Sequence, residues 1–471
     1  MSIQLAVMLG YLCVIVLIGL FARRKSSSSS SFHGAGLGVM MCVAAGTGEW
    51  LGGTSTTGVS EYGFLFGISG AWYTIANGIG IIFLAIFFAK LYRSLDTVTV
   101  PGIIEKYIGT KARVISSIFL TFVMIAVGTV QIIAAGTLGV AVLGLDYAVS
   151  VIVLGLGFIA YTLAGGMVAV GYTNTIHLIV MYGGTILALL LVGKDIGGLG
   201  ALKASLPADP YFSMRGIGIS RVSSWIIASV LGACTAQAGI QPILAAKDVK
   251  VARKSAFITA LAVSPFGIFT AVLGMAAKVK YPQLADAKLA LPTLMMDLNP
   301  IAGGVVIASI LAAILSTVSP IILASGTMIT KDIYQRVIKP DASDKQVLFV
   351  SRLTTGISGL VCMFLALLMY ESTKMLDLVY FAYSLRGALF VVLLLGIYWK
   401  RTSQRGAGWA MILTAAVGFF WVVFKGRLGY YPISQYLTET YASIITALIS
   451  MIVFSLIFPN ERKTAPVDTT V

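Results

Sequence analysis

The chain has 471 residues, 58% hydrophobic and only 11% charged, with a mean hydropathy of +0.95. Soluble domains carry about a quarter charged residues, so a string of water-soluble domains is excluded and a lipid bilayer is the solvent this composition fits. The net charge of +15 is scattered over short segments between apolar runs, with no long basic tail and no basic patch interleaved with aromatics, which argues against a nucleic-acid partner.

Apolar runs of about 20 residues, enough to cross a hydrocarbon core of roughly 30 Å, recur from end to end. Thirteen spans are predicted, at 3–22, 38–62, 66–92, 113–143, 146–165, 168–193, 222–246, 252–278, 300–333, 347–370, 375–398, 406–424 and 436–458. The first, Ile3 to Phe21, has no basic residues ahead of it and Arg23, Arg24 and Lys25 behind it, so it reads as a retained helix and not a secretory signal. Ser26 to Ser31 form a flexible linker. Cys13, Cys42, Cys234 and Cys362 lie in apolar runs without paired spacing, and His33 and His177 are isolated, which supports neither a disulfide framework nor a metal site. An odd span number puts the N-terminus outside and the C-terminus in the cytoplasm. The segments then assigned to the cytoplasm, ending with Arg462 and Lys463, hold 22 of the 33 basic residues, ten lie on the other side, and Arg386 falls within a span. The alternation supports this multi-pass topology, and short loops without a targeting extension lead us to expect a bacterial inner, cytoplasmic membrane.

The second span holds Gly46-Thr47-Gly48-Glu49-Trp50-Leu51-Gly52-Gly53-Thr54-Ser55-Thr56-Thr57-Gly58 at mid-depth. Each glycine costs a helix about 1 kcal/mol relative to alanine. Irregular backbone at this depth is tolerated where it lines a cavity, and transporters use broken helices there to present carbonyls to a cation. Close helix packing through small residues is the alternative. In the ninth span, Ala313, Ser316 and Thr317 stand at i, i+3 and i+4 ahead of Pro320 and share one face. Two hydroxyls and a carbonyl freed near a proline suit a hard cation such as sodium, although such hydroxyls also bond back to their own helix.

Together these elements resemble the sodium:solute symporter family over nearly the whole chain. The resemblance also rests on Thr99-Val100-Pro101-Gly102-Ile103-Ile104-Glu105-Lys106-Tyr107, Gly165 to Val170, Leu244 to Asp248, Leu311 to Ser319, and Ile329-Thr330-Lys331-Asp332-Ile333-Tyr334. It implies an all-α polytopic fold of the leucine-transporter type, with about thirteen transmembrane helices and two inverted five-helix repeats. Residues 1–25 would be a peripheral first helix, 32–194 the first repeat, 195–221 an extracellular loop, 222–400 the second repeat, 401–458 two peripheral helices and 459–471 a cytoplasmic tail. The resemblance also implies a secondary active symporter that couples inward sodium flow to uptake of a small organic solute by alternating access, with no organic cofactor.

Carried over by motif, a sodium site would take the carbonyls of Gly48, Leu51 and Ala313 and the hydroxyls of Ser316 and Thr317. Gly48 stands where family members often have alanine. A second sodium site of some members needs an aspartate and a further hydroxyl; here Thr173-Asn174-Thr175-Ile176-His177 supplies an amide and Pro320 stands at the hydroxyl position, so a single coupled sodium is expected. Trp50-Leu51-Gly52-Gly53 is similar to the motif of choline transporters, where an aromatic face holds a cationic nitrogen, so an organic cation or zwitterion is one substrate class. The other pocket candidates are Thr54, Ser55, Tyr73, Gln131, Gln237 and Gln241, and each glutamine has an interhelical link as its alternative role.

Glu49 keeps a proton-coupled symporter open as an alternative, against a salt bridge or a water-facing vestibule position as the plainer role, and Arg386 reads as a gating or structural link. A channel filter, a nucleophile–base constellation and an ATP-binding glycine-rich loop are missing from the sequence. A transporter-like sensor that does not transport also stays open, although only twelve residues follow Pro459. Nothing in the sequence sets an oligomeric state.

Overall fold

The computed structural model describes residues 3–23, 36–95 and 97–459. The linker Ser26 to Ser31, the basic residues Arg24, Lys25, Arg462 and Lys463, and His33 lie outside the described residues, as do the side chains of 19–23 and of 164–172, which include Gly165 to Val170.

Helix α1 (Ile3–Arg23) opens the chain. The second predicted span is two helices, α2 (Val39–Trp50) and α3 (Val59–Phe66), joined through Leu51 to Gly53 and a π-helical turn at Thr54–Gly58. At Gly67 the backbone takes φ +70°, and a Cβ there would fall 2.1 Å from the Tyr211 carbonyl oxygen, so only glycine fits. The chain reverses at this point: a Cβ on Gly70 would sit 3.0 Å from the Tyr62 Cβ and 3.1 Å from the Val59 carbonyl, whereas a straight helix would hold Val59 and Gly70 about 16 Å apart. Helix α4 (Trp72–Phe87) returns across the bundle.

The Thr99-Val100-Pro101-Gly102 motif starts α5 (Val100–Tyr107), with the Thr99 hydroxyl accepting from Gly102 N–H and proline in the first turn, where its missing donor does no harm. Then come α6 (Thr110–Leu143) and one helical run, α7 (Tyr147–Asp195). Forty-nine residues would extend about 74 Å in a straight helix, more than twice a bilayer core. Yet the Tyr161 hydroxyl donates to Thr173 Oγ1 over 2.5 Å, twelve residues along the chain. A straight helix would separate the two residues by about 18 Å, so the run doubles back between them.

The seventh predicted span is also broken, into α8 (Ile219–Ala233) and α9 (Gln237–Leu244). They are followed by α10 (Val249–Val263), α11 (Phe266–Lys280), α12 (Ala290–Met296) and α13 (Pro300–Met328). A ten-residue π-helix, Ile329–Ile338, continues α13. The chain closes with α14 (Asp344–Met369), α15 (Met375–Tyr398), α16 (Gln404–Leu428) and α17 (Glu439–Ile457). Pro320 does not break α13, which stays helical through it.

Ten helical stretches among the described residues are long and apolar enough to cross a membrane, beside the shorter apolar helices Ile3–Ile18, Tyr147–Leu163 and Ala287–Met296. That is fewer than the thirteen spans expected; Thr54–Phe87, for one, takes α3 and α4 together as a single stretch. The helix at the centre is α13, buried along most of its length, packed against α7, α6, α2 and α1. The peripheral helices α14, α16 and α17 expose Phe349, Phe364, Phe419, Phe420 and Leu456, the apolar surface a lipid-facing helix requires.

Away from the spans, ion pairs join segments assigned to the same side. Arg113 and Arg336 meet Glu105, and Arg113 meets Asp332, at one end of the bundle. Lys280 reaches Asp195 (2.7 Å) and Asp297 (3.1 Å) at the other. The stacked rings of Tyr147 and Tyr370 (3.8 Å between centroids) bring the start of α7 beside the end of α14.

Candidate functional site

The two breaks face each other at mid-depth, and the sequence explains the first. Helix α2 ends at Leu51, which leaves helical geometry at φ −112°, ψ 76°. Gly52 and Gly53 follow because there is no room for side chains: a Cβ on Gly52 would be 2.3 Å from Thr317 Oγ1, and one on Gly53 2.4 Å from the Ala134 Cβ. Gln131 on α6 then closes the exposed backbone. Its Oε1 accepts from Gly53 N–H (2.7 Å) and its Nε2 donates to Thr54 Oγ1 (2.7 Å). The Ser55 and Thr56 hydroxyls both donate to the Gly52 carbonyl.

Against this break lies the Ala313–Thr317 face of α13. The Thr317 hydroxyl donates to the Gly48 carbonyl. The Ser316 hydroxyl lies 2.8 Å from the Ala313 carbonyl and 3.4 Å from that of Leu51. The five oxygens proposed from the sequence thus form two adjoining hydrogen-bonded sets, three carbonyls and two hydroxyls, all on buried residues. A hydroxyl that now donates its proton to a carbonyl can rotate and offer a lone pair instead, so the same atoms can satisfy one another or surround a hard cation.

Three residues beside this cluster form one unit. Pro320 has no N–H, so the carbonyl four residues earlier, that of Ser316, loses its helical donor. The freed carbonyl is therefore Ser316's and not Ala313's. Asn174 on α7 donates to it from Nδ2 at 3.0 Å. Gly48 makes the room: a Cβ there would lie 2.1 Å from Asn174 Nδ2 and 2.8 Å from the Ser316 carbonyl oxygen. The departures at Gly48, Asn174 and Pro320 have a single explanation, an amide donor seated between the ninth span and the break.

On the opposite flank stand Glu49 and Arg386, both fully enclosed. Arg386 Nη1 is 3.9 Å from Glu49 Oε1, and its guanidinium lies 3.7 Å over the Tyr383 ring and 5.2 Å from that of Trp50. Tyr383 is joined hydroxyl to hydroxyl with Tyr73 (3.0 Å), and Tyr380 stacks on Trp225 at 4.1 Å. These rings lead outward to Tyr62, whose hydroxyl donates to Asp377, itself paired with Arg221 at 3.3 Å. The second break lines the same space: Trp50 packs on Gly239, and the Thr235 hydroxyl donates to the Arg386 carbonyl (2.6 Å).

The expected pocket residues divide. Trp50, Gly52, Gly53, Thr54, Ser55 and Tyr73 all sit at the break or on the aromatic cluster, and Gln241 is buried on α9. Gln131 is spent on the break's backbone. Gln237 points away, with Oε1 accepting from Val100 N–H (2.7 Å) and Nε2 donating to the Val98 carbonyl (3.1 Å), so it fastens the α5 loop. The sequence reading passed over Tyr380, Tyr383 and Trp225. The signal available was the spacing of Asp377, Tyr380, Tyr383 and Arg386, each one turn from the next on α15.

One end of the assembly is clasped. Arg113 on α6 binds Glu105 on α5 and, at 2.6 Å, the fully buried Asp332 of the π-helix, which also accepts from Thr99 (2.8 Å). Arg113→Ala is expected to cost roughly 3–5 kcal/mol of stability, because it strands a buried carboxylate. Thermal unfolding of the purified variant measures this, and Asp332→Asn/Arg113→Ala should recover part of the loss. Burial opposes the charge on Glu105, but hydrogen bonds from Arg336 and Arg113 prevail and hold its carboxyl at about 2. With the folded value below the ordinary 4.5, the stability that Glu105 contributes is complete above that pH and drains away as pH falls towards 2.

Comparison with known proteins agrees with this architecture. The sequence model of the sodium:solute symporter family matches residues 32–414. The chain is 27% identical over 469 residues to the high-affinity proline transporter PutP of Bacillus subtilis (strain 168), covering 94% of this chain and 95% of that protein. It is 25% identical to the osmoregulated proline transporter OpuE of the same organism, covering 96% of each. Identity to the sodium/glucose cotransporter of Vibrio parahaemolyticus is also 25%, over 84% of this chain and 81% of the relative. Among solved structures, the substrate-bound outward-open Na+-coupled sialic acid symporter superposes with a TM-score of 0.79 at 20% identity, covering 98% of this chain and all of that one. The nucleobase-cation-symport-1 transporter Mhp1 in a closed conformation gives 0.60 at 14% identity, covering 92% and 96%. A family match over most of the chain, relatives aligned nearly end to end and a shared fold leave one conclusion: the chain belongs to the sodium:solute symporter family.

Proposed function

We propose that this symporter carries one sodium ion and one small organic solute into the cell per cycle by alternating access, with no organic cofactor. The observation that carries the reading is the meeting of Gly48, Leu51, Ala313, Ser316 and Thr317 oxygens where the broken second span touches α13. These atoms would ligate sodium, and the solute would lie beside them among Trp50, Tyr73, Tyr380 and Tyr383. Because both breaks border this space, a solute held there is linked through a few residues to the sodium ligands. The expected architecture is thirteen crossings with two inverted five-helix repeats in the cytoplasmic membrane, N-terminus outside. The concentration of basic residues on the Arg113 side speaks for that side being cytoplasmic.

A single sodium follows from Asn174. Its amide offers a donor and no charge where a second cation would need a carboxylate. Glu49 faces Arg386, which favours a charge pair over a proton carrier.

Reconstitution into proteoliposomes tests the reading, with proline as the first solute because two relatives are named for its transport. An inward sodium gradient should drive uptake with a Hill coefficient for sodium of about one, and Asn174→Asp should raise it. Uptake driven by a proton gradient alone, or a wild-type coefficient of about two, would overturn it.

A further inference from the structure

We infer that Glu49 and Arg386 together form a charge clamp for a zwitterionic solute, the carboxylate taken by Arg386 and the cationic nitrogen by Glu49 and the Trp50 and Tyr383 faces. This deepens the solute site proposed above and rests on it. The starting point is the looseness of the pair. In the other ion pairs of the described residues the charged atoms come within hydrogen-bonding distance, such as 2.6 Å for Arg113 with Asp332 and 3.3 Å for Arg221 with Asp377. Glu49 and Arg386 stand 3.9 Å apart, at a depth where burial makes a poorly matched pair most costly. Arg386 Nε, Nη1 and Nη2 and Glu49 Oε2 are all buried without a well-aligned hydrogen-bond partner.

The surroundings hold the two charges in place without satisfying them. Arg386 is fixed from behind, by Tyr383 under its plane and by Thr235 on its carbonyl, and its side chain lies against Gly232 in the last turn of α8. Helix C-terminal carbonyls favour a cation there, which supports the guanidinium without occupying its fork. Glu49 lies in the last turn of α2, next to the break itself. The guanidinium fork matches a carboxylate in bidentate fashion, and a carboxylate beside an indole face is a good seat for an ammonium or quaternary nitrogen.

Net charge then selects. A solute with only a cationic group meets Arg386, one with only a carboxylate meets Glu49, and a neutral sugar leaves both charges unanswered. A solute bearing both groups answers both at once and keeps the enclosed site neutral.

The test is ligand-dependent thermal stabilisation of the purified full-length wild-type protein, read with and without saturating sodium. Three sets of matched probes serve: proline, pyrrolidine and cyclopentanecarboxylate; leucine, 3-methylbutylamine and 4-methylpentanoate; glycine betaine, tetramethylammonium and 3,3-dimethylbutanoate; with glucose as the neutral probe. At least one zwitterion should stabilise, with its amine and acid analogues weaker by about tenfold or more, the value of one lost charge-assisted contact. Glu49→Gln should narrow the gap between the zwitterion and its acid analogue, and Arg386→Lys the gap to its amine. The clamp is overturned if no zwitterion stabilises, or if an amine, an acid or glucose binds as tightly as the best zwitterion. Because selectivity is read on wild-type protein, it stands even if Arg386 variants fail to fold. Failure of the sodium-coupled reading would show differently, as no response to sodium alone.

Discussion

Gly48→Ala should cripple sodium-dependent uptake although it adds a single methyl group. The new Cβ would fall 2.1 Å from Asn174 Nδ2 and 2.8 Å from the Ser316 carbonyl oxygen, both far inside contact distance. Side chain or backbone must shift, and the backbone concerned carries the Gly48 carbonyl and the Ser316 hydroxyl. Overpacking of this kind costs roughly 1–3 kcal/mol. If the cost falls on the sodium-bound geometry, sodium affinity drops by about 5- to 150-fold. The instructive variant is the double one. Asn174→Ala alone strands the Ser316 carbonyl that Pro320 leaves without a donor, and should weaken sodium binding by itself. Combined with Gly48→Ala it also removes the closest clash, so the pair should be less impaired than the sum of the two single changes. Sodium titrations of all three variants measure the coupling, and simple additivity would mean that Gly48 and Asn174 are not one unit.

Ser316→Ala/Thr317→Ala is expected to have the larger effect. Each hydroxyl is both a candidate ligand and, in the closed cluster, the donor to carbonyls at the break. Losing two ligand oxygens should lower sodium affinity by roughly a hundredfold, about tenfold for each. The protein should still fold, because both side chains are small and the deleted groups leave little space. Sodium-dependent protection against thermal unfolding should disappear while the unfolding temperature in potassium changes modestly. A variant that kept its sodium response would place the cation elsewhere.

The sequence was most informative where local chemistry is self-sufficient. Five glycines among hydroxyls in the second span can hardly form a continuous membrane helix, and the helix does stop at Leu51. Ser316 and Thr317 share a face because 3.6-residue periodicity requires it. Other features depended on partners far along the chain. The break at Cys234 to Ala236 carries no glycine run, and alanine-rich flanks read as good helix. Gln131 and Gln237 had to be satisfied inside the bundle, but the pattern of residues gives no sign that backbone amides at Gly53 and Val100 would do it. Pro320 announced a free carbonyl, and only the approach of α7 reveals Asn174 as its donor. The reversal within Tyr147–Asp195 has no helix-ending proline, so the run stays helical on both sides of a turn that the Tyr161–Thr173 hydrogen bond exposes.

Direct binding of 22Na+ to the purified protein tests the central claim, that one sodium ion is held between the broken second span and α13. The account predicts saturable binding of about one ion per chain, lost in Ser316→Ala/Thr317→Ala and retained in Arg113→Lys at the far end of the bundle. Absence of binding, or binding that survives the loss of both hydroxyls, would contradict it.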